Sequence, residues 1–143
     1  MSVHVLEASR ALDPVVACFP AEPESVGQAR GLVRETLTAW GLAALVDDAV
    51  LAVSELATNA VVYCGVEEAM IRVDLSACRG SLTLGVSDPG RRGLRQGEGA
   101  GLMDEGGRGL LIVRQLGEVG VQRGPFVKRV WVAFPLAEGG HGS

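Results

Sequence analysis

The apolar segment at residues 49–62 carries two polar side chains, Glu55 and Asn59, four positions apart. The spacing of its apolar residues is typical of a helix with one face against a core. At a separation of four, both polar side chains project from one face of that helix. Burying them without hydrogen-bond partners would cost roughly 1–3 kcal/mol each. The segment therefore predicts a core helix that presents a carboxylate and a carboxamide to something polar.

The rest of the chain alternates between segments with a two-residue apolar period, typical of strands, and segments with helical spacing. Gly41 lies between the first two helical segments and predicts the end of the first. Arg79 and Gly80 separate two alternating runs and predict a β-hairpin with one buried face. The predicted order is therefore β-α-α-β-β-loop-α-β-β, with residues 119–123 as its least regular strand.

The size of the chain predicts one domain. Its 143 residues, 48% of them hydrophobic, suffice to bury a single core and are too few for two ordinary domains. The regular pattern extends over residues 14–136. Residues 1–13 are weakly patterned and residues 137–143 are rich in glycine, so both ends are predicted to be flexible.

Charge and cysteine content exclude several classes of function. The net charge of −4 and the absence of a dense cluster of Lys and Arg argue against direct nucleic-acid binding. Residues 1–20 lack a basic segment followed by an apolar one, and the most apolar later segment is interrupted by acidic residues, which predicts a protein that is neither secreted nor membrane-spanning. The cysteines are odd in number and lack a CxxC pair, which favours free thiols in a reducing cytoplasm. They are Cys18, Cys64 and Cys78.

A second motif, Asp88-Pro89-Gly90, ends a strand-like run. An ionised Asp only accepts hydrogen bonds and the adenine amine donates them, so Asp88 can read adenine while Gly90 lets the backbone approach the ring. Asn59 presents a neutral oxygen of the kind that Mg²⁺ accepts beside phosphate oxygens and water. Glu55 can orient or deprotonate an attacking hydroxyl or water in phosphoryl transfer.

A third motif, Gly107-Arg108-Gly109, opens a helical segment. Its glycines leave backbone N–H groups unhindered at the positive end of the helix, and Arg108 adds a cation, so the motif suits phosphate. Residues 89–106, between the second and third motifs, lose the apolar pattern and accumulate glycine and arginine, which predicts a long loop able to act as a lid. Together the three motifs describe a pocket for a nucleoside triphosphate.

Taken singly, each motif has a simpler explanation. Glu55 and Asn59 fit a solvated helix edge, and Asp88-Pro89-Gly90 fits an ordinary turn. The order of the three motifs, with a glycine-rich loop between the last two, makes coincidence the weaker explanation. No GxxxxGK[ST] or strand-linked GxGxxG is present, which excludes a P-loop and a dinucleotide fingerprint. His4 and His141 lie near the chain ends and suggest no metal or catalytic site.

These motifs resemble those of small bacterial ATP-binding proteins related to anti-sigma-factor serine/threonine kinases, within the GHKL superfamily of histidine-kinase-like ATPases. Residues 49–62 resemble the N box of the family, residues 86–90 its DxG box and residues 107–113 its second glycine box. The similarity spans residues 19–136. It implies an α+β fold of the Bergerat type, a two-layer sandwich with helices on one face of a mixed, mostly antiparallel sheet.

The resemblance also implies site roles. It makes Glu55 the proposed general base and Asn59 the residue for Mg²⁺ and phosphate. Asp88 is then the adenine reader, Gly90 its backbone partner, and Gly107 and Gly109 the phosphate-side glycines. ATP and Mg²⁺ are the implied cofactors, and a homodimer is an implied assembly.

In characterised relatives the kinase phosphorylates a serine or threonine of an anti-sigma-factor antagonist and can instead hold a sigma factor. The resemblance therefore predicts an ATP-dependent serine kinase that acts on such a partner. The alternatives are a non-catalytic anti-sigma-type module that uses nucleotide only to set its shape, and a structural domain with a degenerate pocket. An autophosphorylating histidine kinase fits poorly, since the chain has no room for a dimerisation and phosphoacceptor domain.

Overall fold

The computed structural model describes residues 12–64, 66–89 and 107–136, and all statements on structure concern these. The predicted lid, with Gly90 in it, and the predicted flexible ends lie outside them, apart from residues 12, 13 and 89. The elements are β1 (Val15–Pro20), α1 (Pro23–Ala39), α2 (Val46–Tyr63), β2 (Met70–Cys78), β3 (Ser81–Asp88), α3 (Gly107–Leu116), β4 (Glu118–Arg123) and β5 (Lys128–Pro135).

The strands form one five-stranded sheet in the order β1-β2-β3-β5-β4. All four strand pairings are antiparallel, so the described sheet has no parallel pair. The predicted α+β class and the order of elements are confirmed, including the strand at residues 119–123. The second helix was predicted to start directly after Gly41. In the structure a 3-10 turn, Ala43–Leu45, comes first, and α2 begins at Val46.

The predicted end of α1 at Gly41 is confirmed. Gly41 has a φ of +75°, a left-handed conformation that glycine adopts without a Cβ penalty. Its N–H donates to the carbonyl of Thr38, and the N–H of Leu42 donates to the carbonyl of Leu37. These two bonds are those of a Schellman motif, which satisfies carbonyls that the last helical turn would otherwise leave without donors.

The three helices cover one face of the sheet. Alternate residues of β2 and β3 are fully or almost fully buried on that face, because successive side chains of a strand point to opposite sides. α2 packs against α1, α3 and β3. The core lies between the layers and includes Val33, Leu37, Val53, Leu56, Ile71, Val73, Leu75, Leu82, Leu84, Val113, Val132 and Phe134. The outer face of the sheet has no helical cover among the described residues.

Arg129 of β5 lies across the outer face of β3. Its Nε and Nη2 atoms donate to the two carboxylate oxygens of Asp74 at 3.0 and 2.7 Å. Its Nη1 atom donates to Gln122 at 3.1 Å, so the guanidinium links β2, β5 and β4. A Cβ at Gly85 would lie 2.5 Å from Nε of Arg129. The guanidinium therefore passes directly over Gly85, and a side chain at residue 85 would require the arginine to shift.

Gly85→Ala is expected to destabilise the protein by about 1 kcal/mol, because the new methyl group displaces the guanidinium from a half-buried carboxylate. The matched control is Gly31→Ala in α1, where a Cβ meets no atom within 4 Å. That change should raise stability by about 0.5–1 kcal/mol through helix propensity. Thermal and urea unfolding measure both, and equal effects of the two substitutions would contradict the packing argument.

The structure also describes the cysteines and the lengths of the helices. All three cysteines are free thiols, with Cys64 buried and with Cys18 and Cys78 exposed. None of the helices in the described ranges combines the length and the apolar character that a membrane span requires. The cytoplasmic location remains a prediction.

Candidate functional site

The exposed side of α2 presents Glu55 and Asn59 as predicted. Both residues are half-buried, while the other side of the same helix is anchored in the core by Leu56, Ala57 and Ala60. Neither polar side chain forms a hydrogen bond or ion pair with another of the residues that the structure describes. A carboxylate and a carboxamide therefore lie one helical turn apart on this side of α2.

Asp88 is the last residue of β3 and is only 6% exposed. It follows Leu84 and Val86 at two-residue intervals, which places its side chain on the helix-covered face of the sheet. β3 packs against α2 through this face. The sequence predicted a carboxylate at the end of a strand, and the structure adds that it lies at the boundary between the two layers.

The third motif forms the first turn of α3, which begins at Gly107 and packs beside α2. The backbone of Gly107, Arg108 and Gly109 is helical, so the first N–H groups of α3 are the ones that no intrahelical carbonyl accepts. These N–H groups form the positive end of the helix dipole, which favours an anionic ligand. The structure thus places the first motif on α2, and it places Asp88 of the second motif and the whole of the third motif on elements that contact α2.

The donor types in this region suit a nucleotide with its metal ion. Mg²⁺ bound to phosphates keeps several waters and needs only one or two protein ligands, so the carboxamide of Asn59 is a sufficient contact. The described residues contain no group of three or more His, Cys, Asp or Glu that would hold a metal by itself.

The sequence analysis did not identify two features near the site. Lys128, the first residue of β5, is the direct cross-strand neighbour of Asp88 and lies on the same face, so opposite charges are paired at the end of the sheet. Arg30 of α1 donates to the hydroxyl of Ser54 at 3.1 Å, one residue before Glu55. A basic residue at the start of the last strand was the only sequence signal for the first feature.

The chain is similar to known proteins in sequence and in fold. The model of the histidine kinase-like ATPase domain family matches residues 19–133. The crystal structure of the RsbU and RsbW domains of Rv1364c from Mycobacterium tuberculosis is similar in fold, with a TM-score of 0.64 and 20% sequence identity. The alignment covers 87% of this chain and 32% of the mycobacterial chain.

No curated protein matches the chain at a significant level. The structural similarity, at this identity, concerns the fold. The family match is independent of it and spans more than half of the chain, including the helix with Glu55 and Asn59, the strand that ends at Asp88 and the glycines that open α3. The chain therefore belongs to the histidine kinase-like ATPase domain family.

Proposed function

We propose that the protein binds ATP with Mg²⁺ and transfers the γ-phosphate to a serine or threonine of a partner regulator. The observation that supports this most directly is that α2 carries the first motif and packs against the strand and the helix that carry the other two. The helix presents Glu55 and Asn59, the strand packed beneath it ends at the buried Asp88, and the N-terminus of α3 lies beside it.

The adenine end of the site depends on Asp88. A carboxylate that is 6% exposed lies in a medium of low dielectric, where a hydrogen bond from an amine donor of the ligand is stronger than in water. Gly90, two residues further on, is proposed to let the adenine ring approach the backbone. This pairing favours adenine over guanine, because guanine carries an acceptor oxygen where adenine carries the amine.

The phosphate end depends on α2 and α3. Asn59 would supply an oxygen ligand for the Mg²⁺ that the nucleotide brings, and the chemistry that this ion would supply is neutralisation of phosphate charge. Gly107 and Gly109 leave the N–H groups of the first turn of α3 open to phosphate oxygens, and Arg108 adds a positive charge. Glu55 lies one helical turn before Asn59, and it would accept the proton of the hydroxyl that attacks the γ-phosphate.

The identity of the partner is proposed from the family resemblance. The similar mycobacterial chain carries RsbU and RsbW domains. We infer that the partner is a protein of the anti-sigma-factor antagonist type, or a sigma factor that this protein binds. We also propose that the protein is cytoplasmic and does not contact nucleic acid directly. Assembly as a homodimer is part of the same proposal.

Asn59→Ala is expected to weaken binding of Mg·ATP about tenfold, because the metal loses its protein ligand. Affinity for ATP in EDTA should stay near that of the wild type, since the adenine contact is intact. Isothermal titration with and without Mg²⁺ measures both. Thr58→Ala, at an exposed neighbouring position of α2, is the matched control. A variant that keeps the full Mg²⁺ effect would exclude Asn59 as the ligand.

The first test of the whole proposal is titration of the wild-type protein with Mg·ATP, followed by incubation with γ-labelled ATP and candidate antagonist proteins. Binding and labelling of a serine or threonine are expected. Binding without transfer to any candidate would identify the alternative function, a non-catalytic anti-sigma-type module. Absence of binding would contradict both and leave a structural domain with a degenerate pocket.

A further inference from the structure

Lys128 is the only lysine of the chain, whose other strongly basic side chains are all arginines. It is the first residue of β5 and is half-buried. Val130 and Val132 follow it at two-residue intervals and pack in or against the core, so Lys128 is on the helix-covered face of the sheet. The single lysine therefore lies on the face that carries the proposed nucleotide site.

The strand register places Lys128 directly across from Asp88. The Cα atoms of such cross-strand neighbours are about 4.5–5.5 Å apart, and both side chains leave the sheet on the same face. In β4, on the other side of Lys128, the neighbour is Arg123. Exposure rises along this row, from 6% at Asp88 through the half-buried Lys128 to the exposed Arg123. Lys128 is therefore the cation beside the buried carboxylate, and Arg123 is the next one toward solvent.

Arg129, the next residue of β5, shows how an arginine binds a carboxylate in this sheet. On the opposite face its Nε and Nη2 atoms donate to both oxygens of Asp74, at 3.0 and 2.7 Å. Such a bidentate contact engages the two carboxylate oxygens together. A lysine ammonium is a compact charge with three donors on a flexible stem, so it can contact one carboxylate oxygen and still donate to a second acceptor. A lysine beside Asp88 is therefore compatible with a ligand that the two side chains share.

We propose that Lys128 is a specificity-determining residue of the nucleotide site and donates a hydrogen bond to the ring nitrogen N1 of adenine. This inference rests on the proposed function, in which Asp88 accepts from the adenine amine. The amine and N1 are neighbours on one edge of the base, and the first is a donor while the second is an acceptor. Asp88 and Lys128 present the complementary pair, an acceptor beside a donor. Two contacts to adjacent atoms fix the orientation of the base as well as its identity.

The charges at this end of the sheet favour such a contact. The base edge is neutral, so it binds to Asp88 and Lys128 without separating either charge from its counterion. A hydrogen bond from an ammonium is charge-assisted, and it is stronger beside a carboxylate that is only 6% exposed than it would be in water. Loss of the N1 acceptor should therefore weaken binding about tenfold or more.

The test compares ATP with 1-deaza-ATP, in which a C–H group replaces N1 while the amine and the triphosphate are unchanged. Isothermal titration of the wild-type protein in Mg²⁺ should show about tenfold weaker binding of 1-deaza-ATP. Lys128→Met keeps an unbranched apolar side chain at this position but has no donor. It should weaken ATP binding about tenfold and bind the two nucleotides with nearly equal affinity, because the contact that distinguishes them is lost.

Arg123→Met is the matched control, because it removes the next cation of the same cross-strand row. It should keep the full preference for ATP over 1-deaza-ATP. A second readout needs no variant and so does not depend on the folding of Lys128→Met. In wild-type protein labelled with ¹³C-lysine, all lysine signals belong to Lys128. Its Cε signal should shift on saturation with ATP and shift less on saturation with 1-deaza-ATP.

Three results would overturn the proposal. The first is equal affinity of the wild type for ATP and 1-deaza-ATP, which would exclude the contact with N1 and leave ATP binding itself intact. The second is a preference for ATP that Lys128→Met retains, because the lysine would then act on both nucleotides alike, through Asp88 or through the phosphates. The third is the absence of ATP binding to the wild type, which would contradict the proposed function together with this inference.

Discussion

Asp88→Asn is expected to weaken ATP binding about 100-fold, because a charge-assisted hydrogen bond in a nearly dry position is replaced by a neutral one. The amide can also turn its NH₂ group toward the ligand and offer a donor where adenine needs an acceptor. Selectivity should fall as well, since that donor suits the oxygen of guanine. Isothermal titration with ATP and GTP measures affinity and selectivity together.

The matched control is Asp47→Asn, which removes one carboxylate from the exposed first turn of α2. It should bind ATP like the wild type. Because Asp88 is the cross-strand neighbour of Lys128, unfolding curves of Asp88→Asn must show that the variant is folded. A folded Asp88→Asn variant with unchanged affinity and unchanged preference for ATP over GTP would remove Asp88 from the site.

Glu55→Gln is expected to lower the rate of phosphoryl transfer about 1000-fold while ATP affinity changes less than about threefold. Glutamine keeps the size and the hydrogen-bonding oxygen of the side chain, but it cannot accept the proton of the attacking hydroxyl. Single-turnover transfer from γ-labelled ATP to a partner measures the step, and release of phosphate to water measures it where no partner is supplied. The split between rate and affinity separates a catalytic role from a binding role.

Glu35→Gln in α1 is the control for the loss of one exposed carboxylate from a helix. It should transfer phosphate at the rate of the wild type. Equal rates for Glu55→Gln and the wild type would contradict a general base at this position and favour a role in orientation alone. A Glu55→Gln variant that lost affinity and rate together would instead assign the side chain to nucleotide binding.

The order of helices and strands could be predicted because its signals are local. Apolar spacing identified α1 and α2, and Gly41 marked a helix end that the structure explains by its positive φ. The alternating runs around Arg79 and Gly80 identified the β2–β3 hairpin. The same spacing placed Glu55 and Asn59 on one helix face, which the structure shows outside the core.

Contacts between distant segments could not be predicted in this way. Arg129 and Asp74 are 55 residues apart in sequence. They form an ion pair because β5 and β2 both pair with β3, and because Gly85, between them, has no side chain where the guanidinium lies. Lys128 becomes the neighbour of Asp88 through the same register. Apolar periodicity reports which face of a strand is buried, but it carries no information on which strand lies beside it.

The sequence by itself determined the secondary-structure elements, the class of fold and the residue types available for a nucleotide, because these depend on spacing along the chain. Tertiary structure alone decided that β5 lies between β3 and β4, that Asp88 is buried beneath the helical layer, and that Arg129 reaches Asp74 across the outer face of the sheet. The physical reason is that strand register and layer packing bring together side chains from segments with no local relation.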